Sequence, residues 1–398
     1  MATANPLPDT SSASVRSNNR LLVLLAELPQ EQLECVLAHL ASCFPPEELL
    51  IATTDKIAAE NHPALQIISI PPTNASWSLT AADFANTFQL AQKNNANAIL
   101  MLGPECGSLC ETGLCKLATA VTAGSNDLVV SSYELPSHAG LVNSAILYPL
   151  SRALFASPVR FPLAIDLGLS LRMAERLATA AKRFTSVSQN SAPLWPVSEA
   201  AVAGFTIQEV DVGPRDMPQP AEPDLNTILP LVTGSLFADI DAKAAFWQRA
   251  RQLPAPRNPL PRVPTPSSDG TADMSSMLQG FRLAYTNLLE IWSLVLPPNS
   301  LLGLKRLSLI DGSAFRMPDS LWARIVYDFL LSFRLRTINR GHLLGALIPL
   351  YLAWVASHIN VTASGTSPED HIEAVAAAFE AEKPYIVSRW RWPDRFNP

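Results

Sequence analysis

From Arg20 to Tyr133 the chain alternates short apolar runs with longer stretches of helical period, and few folds accommodate that order. The runs Arg20–Ala26, Glu48–Thr53, Leu65–Ile70, Ile99–Leu102 and Asp127–Tyr133 have strand length. Between them, Glu31–Ser42 places Leu33, Val36, Leu37 and Leu40 on one helix face. Thr80–Asn94 does the same with Phe84, Phe88 and Ala91, and a further helix is expected around Cys110–Ala123. Strands alternating with helices predict an α/β fold, a mostly parallel sheet covered by helices.

Within that fold, Ile99–Cys106 (ILMLGPEC) marks where chemistry is expected. A buried strand breaks abruptly into Gly103-Pro104-Glu105, and open α/β sheets hold ligands just beyond the carboxyl ends of their strands. With 398 residues, 48% of them hydrophobic and 16% charged, the chain can bury a large core. Its net charge of -6 argues against non-specific nucleic-acid binding, which needs a basic surface. A cytoplasmic protein without a signal peptide is expected, because Met1–Asn19 is polar and Leu21–Leu25 is too short for a signal core. No transmembrane segment is expected either. Leu343–Ala356 falls short of the roughly 20 residues of a membrane span and contains Pro349, so it reads as a buried helix. Of five cysteines, Cys106, Cys110 and Cys115 cluster without a nearby His, and free thiols around a strand-to-helix turn are expected.

Further along, Gly140–Ala156 reads as a helix interrupted at Pro149, and Val159–Ser170 contains a buried acid, Asp166. Leu171–Arg183 is a helix, Ala201–Asp211 includes a strand, and Leu225–Phe237 is helical. Prolines crowd residues 254–266, a linker or extended strap. Helices then follow at Met274–Val295, Asp319–Arg336, Gly341–Ile359 and Pro368–Glu382, with Asp319 as the N-cap of the second. The organisation expected is a disordered tail (1–19), an α/β domain (20–253), a Pro-rich linker (254–273) and a helical C-terminal domain (274–398).

Three stretches together carry a resemblance: LYPLSRALF at Leu147–Phe155, PLAIDLGLS at Pro162–Ser170, and Met317–Ile359. They resemble the retaining glycosyltransferases that make mannosylglycerate and glucosyl-phosphoglycerate, and their bacterial relatives. The resemblance implies a GT-A fold, a nucleotide-sugar-binding α/β domain followed by a helical region. It also implies hexose transfer from a nucleoside-diphosphate sugar to a small hydroxyl acceptor, assisted by Mg2+ or Mn2+ on the diphosphate.

Compared residue by residue, the chain departs from the family at four places. The family's Asp-x-Asp falls on Gly103-Pro104-Glu105, and its metal-binding His falls on Met217. Its Gly-Lys-Gly falls on Ser78-Leu79-Thr80, and the turn after its first strand becomes Glu27-Leu28-Pro29-Gln30. Glu105 and Asp216 are the candidate replacement ligands, and Arg215 is a candidate cation in the metal's place. Asp166 corresponds to the carboxylate near the donor sugar, as a positioning or base residue, or else as a helix N-cap. Thr54 and Asp55 fall where the nucleotide base is contacted, or form an exposed turn. Gly103, Tyr148, Arg152 and Arg160 are further candidates for the donor or acceptor site; the arginines are alternatively salt-bridge residues. Losses concentrated on site positions predict a fold kept as a non-catalytic module, with the divalent cation lost. Such a module would act as a homo-oligomer or pair with an active relative. The alternative is an enzyme that is metal-independent or uses rearranged ligands.

Overall fold

The computed structural model describes residues 20–54, 62–70, 78–217, 224–249 and 274–393. The expectations for Met1–Asn19, for Asp55 and for the Pro-rich 254–273 lie outside these residues.

Among the described residues seven strands form one sheet in the order β3-β2-β1-β4-β6-β5-β7. They are β1 (Leu21–Leu25), β2 (Leu49–Thr53), β3 (Gln66–Ser69), β4 (Ala98–Leu102), β5 (Leu128–Glu134), β6 (Asp166–Ser170) and β7 (Ile207–Pro214). All neighbours run parallel except β6, which is antiparallel to both β4 and β5. β1, β2 and β4 are buried throughout, as covering both faces requires. On one face lie α1 (Gln30–Cys43) and α3 (Glu111–Thr122), with Leu33, Val36, Leu114 and Leu117 packed against Val23, Ile51 and Leu100. On the other lie α2 (Ala81–Lys93) and α5 (Leu171–Ala181), with Phe84, Met173 and Leu177 packed against Leu22, Ile99 and Leu169. Thr80 and Asp83 close a reciprocal cap at the start of α2.

A third core is helical. It joins α4 (Tyr148–Phe155) and α7 (Leu225–Ala242) to α8 (Met274–Asn287), α9 (Leu289–Val295), α10 (Pro298–Ser308), α11 (Asp319–Leu335), α12 (Arg340–Ala363) and α13 (Pro368–Ala381). α6 (Pro196–Ala203) packs between the layers, and α14 (Lys383–Arg391) is the last helix among the described residues. Trp247, Trp292, Trp322 and Trp354 are fully buried in this core, each a large apolar payload with a specific orientation. α12 is long and apolar enough to cross a membrane by length and composition, but it is mostly buried inside the helical layer. Trp390 and Arg389 also pack inward, while Trp392 is exposed.

Several sequence expectations need correction. Pro149 does not interrupt a helix. A π-helical turn at Asn143–Leu147 runs straight into α4, and Pro149 sits just past it, where the widened turn accommodates the missing N–H. Met274–Val295 divides at Leu288 into α8 and α9. Asp319 is the first residue of α11 rather than its cap, which is Pro318. Cys115 is not a free thiol. It forms a disulfide with Cys43, tying α3 to the end of α1 across a Cα–Cα distance of 5.6 Å. Cys35, Cys106 and Cys110 are free.

Candidate functional site

The reversal of β6 places Asp166 beside the carboxyl end of β4, in register with Leu102. The expected helix N-cap role falls to Ser170 instead, whose side chain accepts from Met173 N–H at the start of α5. Gly103 follows directly after β4, and its N–H donates to Asp166 Oδ1 at 3.0 Å. A Cβ there would stand 2.8 Å from the Ile165 carbonyl, so close packing of the two chain segments requires glycine. Pro104 and Glu105 then turn the chain. Glu105 takes a left-handed conformation (φ 62°), and the Cys106–Ser108 turn follows. Ser108 Oγ donates to the Glu105 carbonyl at 2.7 Å.

The remaining wall comes from the end of β7. Gly213, at φ 79°, bends the chain so that Arg215 reaches back over the rim. Arg215 Nε donates to Asp166 Oδ2 at 2.9 Å and Nη2 to Oδ1 at 3.2 Å, a forked pair with both side chains fully buried. Nη2 also donates to the Pro104 carbonyl at 2.6 Å, and Nη1 to the Asp216 carbonyl at 2.7 Å and to Ser108 Oγ at 3.4 Å. Tyr133, from the end of β5, donates to Asp166 Oδ2 at 3.0 Å. Burial opposes the charge on Arg215, yet Asp166 more than offsets it and the net direction is upward. Burial, reinforced by the Asp166 charge, pushes the Tyr133 hydroxyl well above its usual range. The Cys106 thiol behind the pair moves up for the same two reasons.

Asp166, Arg215 and Gly103 are thus brought together, while Glu105, in the turn after β4, and Asp216, just past β7, are exposed. Thr54, half-buried, follows the carboxyl end of β2. Tyr148 and Arg152 lie elsewhere, in the contact between α4 and α13. Tyr148 OH donates to Glu373 at 2.6 Å, while Arg152 pairs with Glu373 and, at 3.1 Å, with Glu380. Arg160 sits between the two groups. Its Nε donates to Glu369 at 3.0 Å and its Nη2 to Ser144 at 3.0 Å, while Nη1 is buried without a hydrogen-bond partner among the described residues. Its guanidinium lies over Phe161, which meets Tyr133 edge-on at 5.1 Å.

Sequence reasoning missed Tyr133 and Ser108. Tyr133 carried one usable signal, a polar-tipped aromatic next to the end of a strand that opens apolar. A buried pair escaped as well. His358 on α12 and His371 on α13 stand Nδ1 to Nδ1 at 2.7 Å, and His371 Nε2 faces Asp319 at 3.3 Å.

A divalent ion does not fit the residues present at the rim. Each Asp166 oxygen already accepts two hydrogen bonds, and a guanidinium stands against it. Among the described residues no three His, Cys, Asp or Glu side chains gather as a metal site.

No protein-family model matches this chain, and no curated protein matches it. Solved structures do. Glucosyl-3-phosphoglycerate synthase from Mycobacterium tuberculosis, in complex with Mn2+, uridine diphosphate and phosphoglyceric acid, is 14% identical. The match covers 56% of this chain and 78% of that one, at a TM-score of 0.39. The same enzyme with Mn2+, UDP-glucose and phosphoglyceric acid is 14% identical over 56% and 79%, at a TM-score of 0.37. Mannose-1-phosphate geranyltransferase from Thermus thermophilus is 15% identical over 50% and 75%, at a TM-score of 0.27.

Proposed function

We propose that this chain is a glycosyltransferase-like protein that does not itself transfer sugar. Its kinship is with enzymes moving a hexose from a nucleoside-diphosphate sugar to a small hydroxyl acceptor. The residue-by-residue resemblance supports the kinship. The observation that carries the loss of catalysis is the saturation of Asp166: the carboxylate that should face the donor sugar is fully buried and held by Arg215, Tyr133 and Gly103. A carboxylate whose two oxygens are each taken by two buried donors has no free position for a substrate hydroxyl or a metal ion. Glu105 and Asp216 remain as the only rearranged carboxylates among the candidates, and both are exposed.

One observation favours the second reading, a working metal-independent transferase. The unpartnered Nη1 of Arg160 is a buried cationic donor able to take an anionic acceptor such as a glycerate.

Thermal unfolding with UDP- and GDP-sugars, each with and without Mn2+, tests both readings together with a turnover assay. A ligand that binds only the folded chain raises the midpoint. The expected result is no Mn2+-dependent shift and no hydrolysis or transfer. Turnover abolished by a chelator overturns the proposal, and turnover indifferent to the chelator establishes the second reading.

A further inference from the structure

We infer that the Arg215 guanidinium is a tethered cation, held in an oxygen cage that would otherwise admit an exchangeable divalent ion. The inference deepens the proposed loss of catalysis and rests on it for the meaning of the site, though not for its geometry. Five oxygens converge on this one side chain: Asp166 Oδ1 and Oδ2, the Pro104 and Asp216 carbonyls, and Ser108 Oγ. All five are hard donors, the kind that binds Mg2+, Mn2+ and Ca2+, and they come from three separate parts of the chain. The carboxylate supplies formal negative charge from a fully buried position.

A buried guanidinium needs an acceptor for each of its N–H groups, and here every acceptor is an oxygen, two on Asp166 and the rest on the chain around it. The backbone is itself arranged to present them. Glu105 is held left-handed, a conformation that crowds the Cβ of any residue but glycine, and Gly213 turns the β7 end inward. Removing the guanidinium leaves a buried carboxylate without a counter-ion and a volume suited to a small ion with part of its water shell. With the guanidinium in place, the cation cannot leave, and chelators find nothing to extract.

The test uses the full chain, Mn2+ alone as probe, and no nucleotide or sugar, so its outcome is independent of whether the protein binds a donor. Bound Mn2+ is counted by the loss of the free-ion signal in electron paramagnetic resonance, alongside the thermal midpoint. The wild type should bind no Mn2+ at this site and show no midpoint shift. Arg215→Ser should bind one Mn2+ per chain and regain midpoint as Mn2+ is added, and Arg215→Ser with Asp166→Asn should lose both responses. Wild-type Mn2+ binding that Asp166→Asn abolishes would overturn the inference. So would a folded Arg215→Ser that ignores Mn2+. If Arg215→Ser is unfolded without metal, refolding in Mn2+ supports the cage, and failure to refold sinks it.

Discussion

At the scale of single residues, the buried Asp166–Arg215 pair is where one substitution should cost most. Two charges taken out of water repay their desolvation only when geometry and surrounding hydrogen bonds are complete, and here they are. Asp166→Asn should therefore cost about 3–5 kcal/mol of unfolding free energy in urea titrations, because Arg215 is left buried and unpaired. Asp166→Asn combined with Arg215→Met should cost clearly less than the sum of the two single changes. A second residue-scale prediction concerns His358. Burial, then the neighbouring His371, His138 and Arg160, lower its pKa to about 3, although the Ser137 carbonyl opposes them. Asp319 faces the pair from α11 through His371. The unfolded chain takes up the proton near 6.5 and the folded chain only near 3, so unfolding binds protons in that window. Stability contributed by neutral His358 is present above pH 6.5 and lost as pH falls toward 3. His358→Gln should flatten the slope of the urea midpoint over roughly pH 4 to 6.5; an unchanged slope would refute the assignment. Asp166 was legible in the sequence as the lone charge of an apolar run that required a partner. Its partner was not, because Arg215 is 49 residues away and pairing of that kind is written only in the tertiary fold.

At the scale of elements, periodicity set most of the sheet and its covering helices within a residue or two. The failures were local competitions. Pro149 suggests a break, but a π-turn absorbs it. Asp319 suggests a cap, yet its carboxylate faces His371 instead. The Cys43–Cys115 bridge spans 72 residues, and no local pattern announces it. In the chain-entropy view, closing a loop of that length stabilises by about 4 kcal/mol. Cys43→Ser with Cys115→Ser, or reduction, should lower the urea midpoint and steepen the slope, because the unfolded chain freed of the cross-link exposes more surface. Such bridges persist where surroundings are oxidising. α13 is the other element with a defined task. Its Glu369, Glu373 and Glu380 pair with Arg160 and Arg152, tying the helical layer to the segments around Tyr148. Glu373→Gln should loosen this contact by about 1–3 kcal/mol, since it weakens a partner of two buried groups. Hydrogen exchange should show the change first in α13 and α4.

At the scale of the whole molecule, the helical core recruits segments that lie between the strands of the sheet in sequence, which chain order does not suggest. The third core draws Leu141–Phe155, Trp195 and Leu229–Trp247 from the first two thirds of the sequence against helices beginning at Met274. Trp322 Nε1 of α11 donates to the Ala145 carbonyl at 2.8 Å, across 177 residues of chain. One consequence concerns what severing the chain would do. A protease site engineered into residues 250–273 would sever the peptide bond while leaving this shared core intact. The two fragments should elute as a single particle from a sizing column and part only in denaturant. Neither should be recovered folded when expressed without the other, although mixing them from denaturant should restore the native particle. The covalent link between the halves is then a tether that raises their local concentration, and the third core is what holds them as one body.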